Sequence, residues 1–279
     1  MRQQTLNAFT ILRYVLGILI TLVTLFPIYW MIISSLKSSQ ELLQAVPSLW
    51  PKEFHWNNYS DVWQKAPFGR YFFNTGVTTA GVLILELFTG ILAAYGFSKG
   101  KFKGRNFLFM VVLGAMMVPA QVTFVPLYVM MSQFNWLNSF AGLIIPNAVS
   151  AYLIFMLRQA FMAVDDSYLE AAKMDGLGRF GIIFQILCPM CKPTLITVGV
   201  IQFIDNWNAY FWPKMITNDI NMRTIAVGVA NLKESYAGLE TMNTNQIMAG
   251  AFMAIVPIIL VFVFLQKYIL TGMSKAAMK

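Results

Sequence analysis

Apolar residues run through this chain in long blocks separated by short polar connections. Six blocks reach the length of about 20 residues that a helix needs to cross the hydrocarbon core of a bilayer. They lie at roughly 14–36, 71–97, 107–131, 140–160, 193–213 and 246–266. The pattern predicts an all-α, polytopic membrane protein: one transmembrane domain over residues 1–279 with six transmembrane helices. The first block is too long for the apolar core of a signal peptide and no small-residue cleavage site follows it, so it is expected to be retained. Between Arg105 and Arg158 lie 52 residues without a single Asp, Glu, Lys or Arg, room for two crossings.

Charge adds direction to this pattern. Only 11% of residues are charged, against about 25% in soluble domains. The net charge of +8 is carried in short clusters between apolar blocks, which reads as a topology signal and not as a nucleic-acid surface. Counted alternately along the chain, one set of connections holds 13 Lys and Arg and the other 7. The richer set comprises the N-terminal segment, 98–105, 158–192 and the C-terminal tail. Both termini are therefore expected in the cytoplasm, with 37–70 and 214–245 outside.

The basic turn contains YGFSKGKF, which has neither the glycine spacing nor the Ser or Thr after Lys of a phosphate-binding loop. No nucleotide site is read in this chain, so any ATP-driven activity requires a separate ATPase subunit.

Residues 164–176, VDDSYLEAAKMDG, carry the punctuation of a short cytoplasmic helix. Ser167 and Glu170 have capping-box spacing, Asp165 and Asp166 suit a helix N-terminus, and Gly176 suits a left-handed C-terminal cap. Phe180, Ile183, Phe184 and Leu187 follow at helical spacing. Ala171 and Ala172 add little bulk, so a partner surface could approach closely. The helix would be marginal alone in water and should rest against something.

The run Glu170, Ala171, Ala172, Gly176, Ile186 and Pro189 resembles the EAA loop of permease subunits of ABC importers, with Cys188 where Leu is usual. Further matches resemble the carbohydrate class of these permeases, of the maltose and glycerol-phosphate type. They are NNY at 57–59, RYFFNT at 70–75, AAYGFSK at 93–99, prolines 119 and 126, and the spaced F…WN.Y.WP group at 203–213.

The resemblance implies a bacterial or archaeal cytoplasmic-membrane subunit with no catalytic residues and no cofactor of its own. Its EAA coupling helix would lie between transmembrane helices 4 and 5, within a cytoplasmic loop at about 164–192. Ser167, Glu170, Ala171, Ala172, Asp175 and Gly176 would form the contact with the ATPase. Implied partners are a second related permease in a heterodimer, two ATP-binding-cassette ATPases that use ATP and Mg, an extracytoplasmic solute-binding protein, and membrane lipid. Transport would proceed by alternating access, driven through that contact.

Glu86 and Asp205 fall near the middle of predicted spans, where ionisable groups face protein or water. They fit either a proton relay, as in a proton-coupled carrier acting alone, or hydrogen-bonded linings of a polar cavity. Asn206, Trp207, Asn208 and Tyr210 follow. Aromatic faces beside amides suit a sugar, while Tyr210 and Trp212 also fit an interfacial aromatic belt. Cys188 and Cys191 form CPMC without the α/β context of a redox motif or the further ligands of a zinc site, and His55 is the only histidine. They are expected to be small apolar residues, with a thiol oxidoreductase as the rival reading.

Overall fold

The computed structural model describes residues 8–233 and 243–277. The first seven residues, the 234–242 part of the expected external connection and the last two residues of the expected cytoplasmic tail lie outside the described residues. Every regular element among the described residues is helical.

Three helices are long and apolar enough to cross a membrane unbroken. They belong to α1 (Ala8–Ser35), α3 (Phe68–Lys99) and α11 (Thr244–Ala277). Between α1 and α3 lies α2 (Asn57–Lys65). The remaining apolar blocks are each two helices set at an angle.

Block 107–131 is α4 (Arg105–Met116) and α5 (Ala120–Gln133), bent by 95°. The bend falls where Pro119 stands in extended backbone as the N-cap of α5. Block 140–160 is α6 (Phe140–Ile144), a 3-10 turn, and α7 (Ala151–Met162), which Ser150 caps by accepting the Leu153 N–H; the bend is 43°. Block 193–213 is α9 (Lys192–Trp207) and α10 (Phe211–Ile216), and an 85° bend just before it joins them to the segment Arg179–Met190. Proline at 189 and 193 removes backbone donors at this junction. Blocks 107–131 and 140–160 are thus each a bent pair, and the bend beside block 193–213 falls just ahead of it.

The chain forms two compact units. The first, from residues up to 68 and 229–255, is tied by a polar knot beyond the end of α1. Asn58 Nδ2 donates to the carbonyls of Ser35 at 2.8 Å and Lys37 at 3.0 Å. Asn245 Nδ2 donates to the Lys37 carbonyl and to Asn58 Oδ1. Glu41 accepts from the Ser48 hydroxyl and the Lys52 N–H, and the Lys37 ammonium donates to the Ser48 carbonyl. Buried polar groups are costly unless paired, and here each side chain named has its partner.

The second unit, 69–228 and 256 onward, is built on an apolar core. Ile91 and Ala94 of α3 and Leu153, Leu157 and Phe161 of α7 meet Ile182, Ile183 and Leu187 of a π-helical segment. The contact of α3 with α7 is close, since a Cβ on Gly90 would stand 2.0 Å from a methyl of Leu153. On this core rests α8 (Asp166–Met174).

Candidate functional site: a seated short helix and a buried polar cluster

The helix α8 is held by both ends and by one face. At its start Asp165 is the N-cap and accepts the Ser167 N–H at 2.9 Å. The expected capping box from Ser167 to Glu170 is therefore displaced by two residues. Asp165 has the extended backbone of a cap, and its carboxylate reaches the N–H two residues on at the turn where the helix begins. Ser167 lies inside the first turn instead.

At its end Gly176 has φ +82°. Leu177 N donates to the Ala172 carbonyl and Gly176 N to the Lys173 carbonyl, both at 3.0 Å. This is the paired hydrogen-bond pattern of a Schellman cap, as the glycine's position predicts. The following residue, Leu177, then packs on the core.

Leu169 and Ala172 are buried in that core, three residues apart on one face. Glu170, Ala171, Lys173, Met174 and Asp175 are turned outward, with Met174 at 88% exposure. The two alanines thus differ: Ala172 seats the helix and Ala171 leaves its outer side low. The expected second stripe also divides, with Ile183 and Leu187 buried and Phe180 and Phe184 exposed.

A further brace comes from Lys99, the last residue of α3. Its ammonium donates to the Val164 carbonyl at 2.7 Å and to Asp166 Oδ1 at 2.6 Å. Lys99 is 10% exposed and Asp166 74%. The Ser167 backbone N–H holds the Asp165 carboxyl below its ordinary value. The Lys99 hydrogen bond and charge do the same for Asp166. Lys99 is absent from the residues expected at this site, because in the sequence it counts only as one of four topology charges. Its position next to the helix-ending Gly100 is the one available hint.

The second constellation surrounds the end of α9. Glu86 of α3 is buried, and Asn206 Nδ2 lies 3.4 Å from its Oε2 while donating at 2.8 Å to the Gln202 carbonyl. Trp207 is buried and stacks on Phe203, their ring centroids 5.6 Å apart. Asp205 and Asn208 are exposed on this chain, and the Tyr210 hydroxyl accepts from Lys214 Nζ at 2.8 Å. The structure therefore brings Glu86, Gln202 and Asn206 together, with Asp205 and Asn208 exposed beside them, while Trp207 turns to Phe203 and to Phe72 of α3.

Trp212 belongs to neither a belt nor this cluster. It is buried with Leu143, Met131 and Ile216, and its indole N–H donates to the Gly142 carbonyl at 3.1 Å. Asn74 and Thr75 of the RYFFNT stretch brace the loop after α10. Asn74 Nδ2 donates to the carbonyls of Asn221 and Arg223, and the Thr75 hydroxyl accepts the Ile225 N–H. Cys191 is buried in the apolar core, 3.6 Å from the Ala160 carbonyl, and Cys188 is partly buried beside it. No group of three or more metal-ligating side chains occurs among the described residues.

Comparison with known proteins matches residues 86–275 to the family described as binding-protein-dependent transport system inner membrane component. The chain is 33% identical to the arabinooligosaccharides transport system permease protein AraQ of Bacillus subtilis, over 94% of this chain and 92% of that protein. It is 31% identical to the sn-glycerol-3-phosphate transport system permease protein UgpE of Yersinia enterocolitica, over 96% of each. Among solved structures it resembles a chain of a bacterial ABC transporter involved in the import of the acidic polysaccharide alginate. The TM-score is 0.83 at 25% identity, covering 96% of this chain and 99% of that one.

Proposed function

Since the chain belongs to the family of binding-protein-dependent transport system inner membrane components, we propose that it is the permease of an ATP-binding-cassette importer for a sugar or sugar derivative. It is a non-catalytic subunit of the inner membrane, and ATP is hydrolysed by separate ATPase subunits. The substrate class is supported by the arabinooligosaccharide, glycerol-3-phosphate and alginate systems to which the chain is similar. In this reading the chain crosses the membrane six times as one transmembrane domain, three times through bent pairs, with both termini in the cytoplasm. It works with a second permease in a heterodimer, two ATPases and an extracytoplasmic binding protein.

The observation that carries the coupling role is the two-sidedness of α8. Its inner face is fixed on the core by Leu169 and Ala172, while Glu170, Ala171 and Met174 face outward. A helix so seated can transmit a push: ATPase closure displaces α8, and the core beneath it moves as a packed unit. Asn206, backed by Glu86, would line the sugar route together with Asp205, Asn208 and Tyr210. The hydrogen bond that Asn206 Nδ2 donates to Glu86 favours a structural and route-lining role over a proton relay. A carrier of that second kind would show uptake driven by a proton gradient without ATP.

The test is ATPase stimulation by loaded binding protein in reconstituted complexes. Glu170→Lys should abolish stimulation and uptake while the complex still assembles, because it reverses an outward charge at the contact. Full stimulation in that variant would remove α8 from the coupling role.

A further inference from the structure

The basic turn between α3 and α4 does more than its topology role requires. Residues 100–107 enclose an open recess of about 590 Å³ lined by Lys101, Lys103 and Arg105 together with Phe102 and Phe107. Gly104, at φ +83°, makes the turn possible in a conformation that side chains with a Cβ disfavour.

The cations here differ in how far they are already engaged. Lys99 is taken up by Val164 and Asp166. Arg105 Nη1 donates to the Gly100 carbonyl at 2.8 Å and holds the turn closed. Arg158 donates to the Phe97 carbonyl and lies over the Phe109 ring, 3.9 Å from its centroid. Lys101 and Lys103 are exposed and make no hydrogen bond to another described residue, although Lys101 is near enough to Asp166 to help hold its carboxyl low. The nearby carboxylates, Asp165 and Asp166, do not balance Lys99, Lys101, Lys103, Arg105 and Arg158. Positive charge is therefore in excess at this turn.

An apolar strip begins at the same place. Phe102 and Phe107 on the rim are exposed, Phe107 at 65%, and Leu108, Met110 and Val111 continue the exposed surface along α4. A soluble anion would use the cations and have no use for the strip. An acyl chain would use the strip and have no use for the cations. One ligand class matches both at once.

We propose that the turn at 100–107 binds the headgroup of an anionic phospholipid of the cytoplasmic leaflet, with its phosphate on Lys101, Lys103 and Arg105 and its acyl chain along Phe107, Met110 and Val111. The proposal rests on the membrane topology above and not on the coupling role of α8. The site adjoins the Lys99 brace, so a lipid held there neutralises charge next to the point where α8 begins.

The test uses the purified, detergent-solubilised transporter complex. It is titrated with a photoactivatable phosphatidylglycerol, a phosphatidylcholine carrying the same reactive chain serving as control. The expected result is saturable labelling within residues 100–111 by phosphatidylglycerol alone, unaffected by millimolar inorganic phosphate. The double variant Lys101→Gln with Lys103→Gln should weaken it by about thirtyfold, the combined contribution of two lysines near an anionic surface. Arg105 is left in place because it holds the turn.

Equal labelling by both lipids would overturn the headgroup site, and so would undiminished labelling of the double variant. Displacement by phosphate would mean a site for free anions. A crosslinker placed at residue 103 that captures the ATPase or the second permease, with no lipid label, would mean a protein interface. Labelling is read without sugar or ATP, and uptake by the double variant is measured separately. Failure of the lipid site with intact uptake leaves the transport reading standing.

Discussion

Two polar insertions interrupt this apolar chain, and they are built in opposite ways. At α8 the apolar side chains Leu169 and Ala172 are hidden, and Glu170, Lys173 and Asp175 face outward. At the end of α9 the polar side chains Glu86 and Gln202 are hidden, with Asn206 hydrogen-bonded between α3 and its own helix. In the proposed topology the difference follows from the medium. A helix beyond the bilayer can leave charges to water and gain by burying methyl groups. Polar groups at membrane depth have no water to return to and must find partners within the protein. In the proposed reading, outward polarity marks where another subunit attaches, and inward polarity where the chain's own helices hold one another.

The sharpest way to break this contrast is at the end of α8. Gly176→Val places a branched side chain at φ +82°, which costs roughly 1–2 kcal/mol and unseats Leu177 from the core. Sugar uptake and binding-protein-stimulated ATP hydrolysis should fall by about fivefold to thirtyfold in the intact complex. Stimulation at the level of the unmodified protein would mean that α8 is not held from its C-terminal end.

At the other region, Asn206→Leu removes the donor to the buried Glu86 carboxylate, a loss of about 1–3 kcal/mol. Uptake should drop by roughly tenfold, and Glu86→Gln in the same background should recover part of it, because an amide can both donate and accept where the carboxyl has lost its Asn206 donor. No recovery would mean that Glu86 and Asn206 act independently, which a double-mutant cycle on uptake rates would show.

A smaller effect is expected at the brace joining α3 to α8. Lys99→Met leaves the Val164 carbonyl without its donor, and loss of one hydrogen bond of about 1 kcal/mol corresponds to roughly fivefold faster amide exchange at 164–167. Lys99→Arg should restore much of the protection. The carboxyls of Asp165 and Asp166 are lowered in the folded chain, so their contribution is present above the ordinary aspartate value of 3.8 and is lost as pH falls below it. Exchange at these amides should therefore be independent of this linkage near neutral pH and accelerate only in acid. Acceleration already between pH 7 and 5 would contradict the brace.

Least affected should be the double variant Cys188→Ala with Cys191→Ala. Both thiols sit in or beside apolar core, and small truncations there cost about 1 kcal/mol. Uptake should stay within about twofold, and alkylating reagents should not abolish it; a larger loss would revive a redox role.

Much of this protein was legible in its residues because the governing physics is local or additive. Apolar length sets which segments suit a bilayer, and Gly176 announces the end of α8, since a left-handed backbone penalises any Cβ. Even local signals can compete: Asp165 took the cap that Ser167 and Glu170 also fitted, because only the path of the incoming chain decides which side-chain oxygen meets a free N–H.

Tertiary structure alone decided the rest. Glu86 and Asn206 are 120 residues apart, Lys99 and Asp166 are 67 apart, and Trp212 finds the Gly142 carbonyl across 70 residues. No spacing rule reaches that far. Prolines allow a bend but do not set its angle, which depends on what the two halves pack against. Composition specifies which groups must be paired or buried, and the folded chain chooses the partner, because pairing is a property of distances that exist only once the helices have come together.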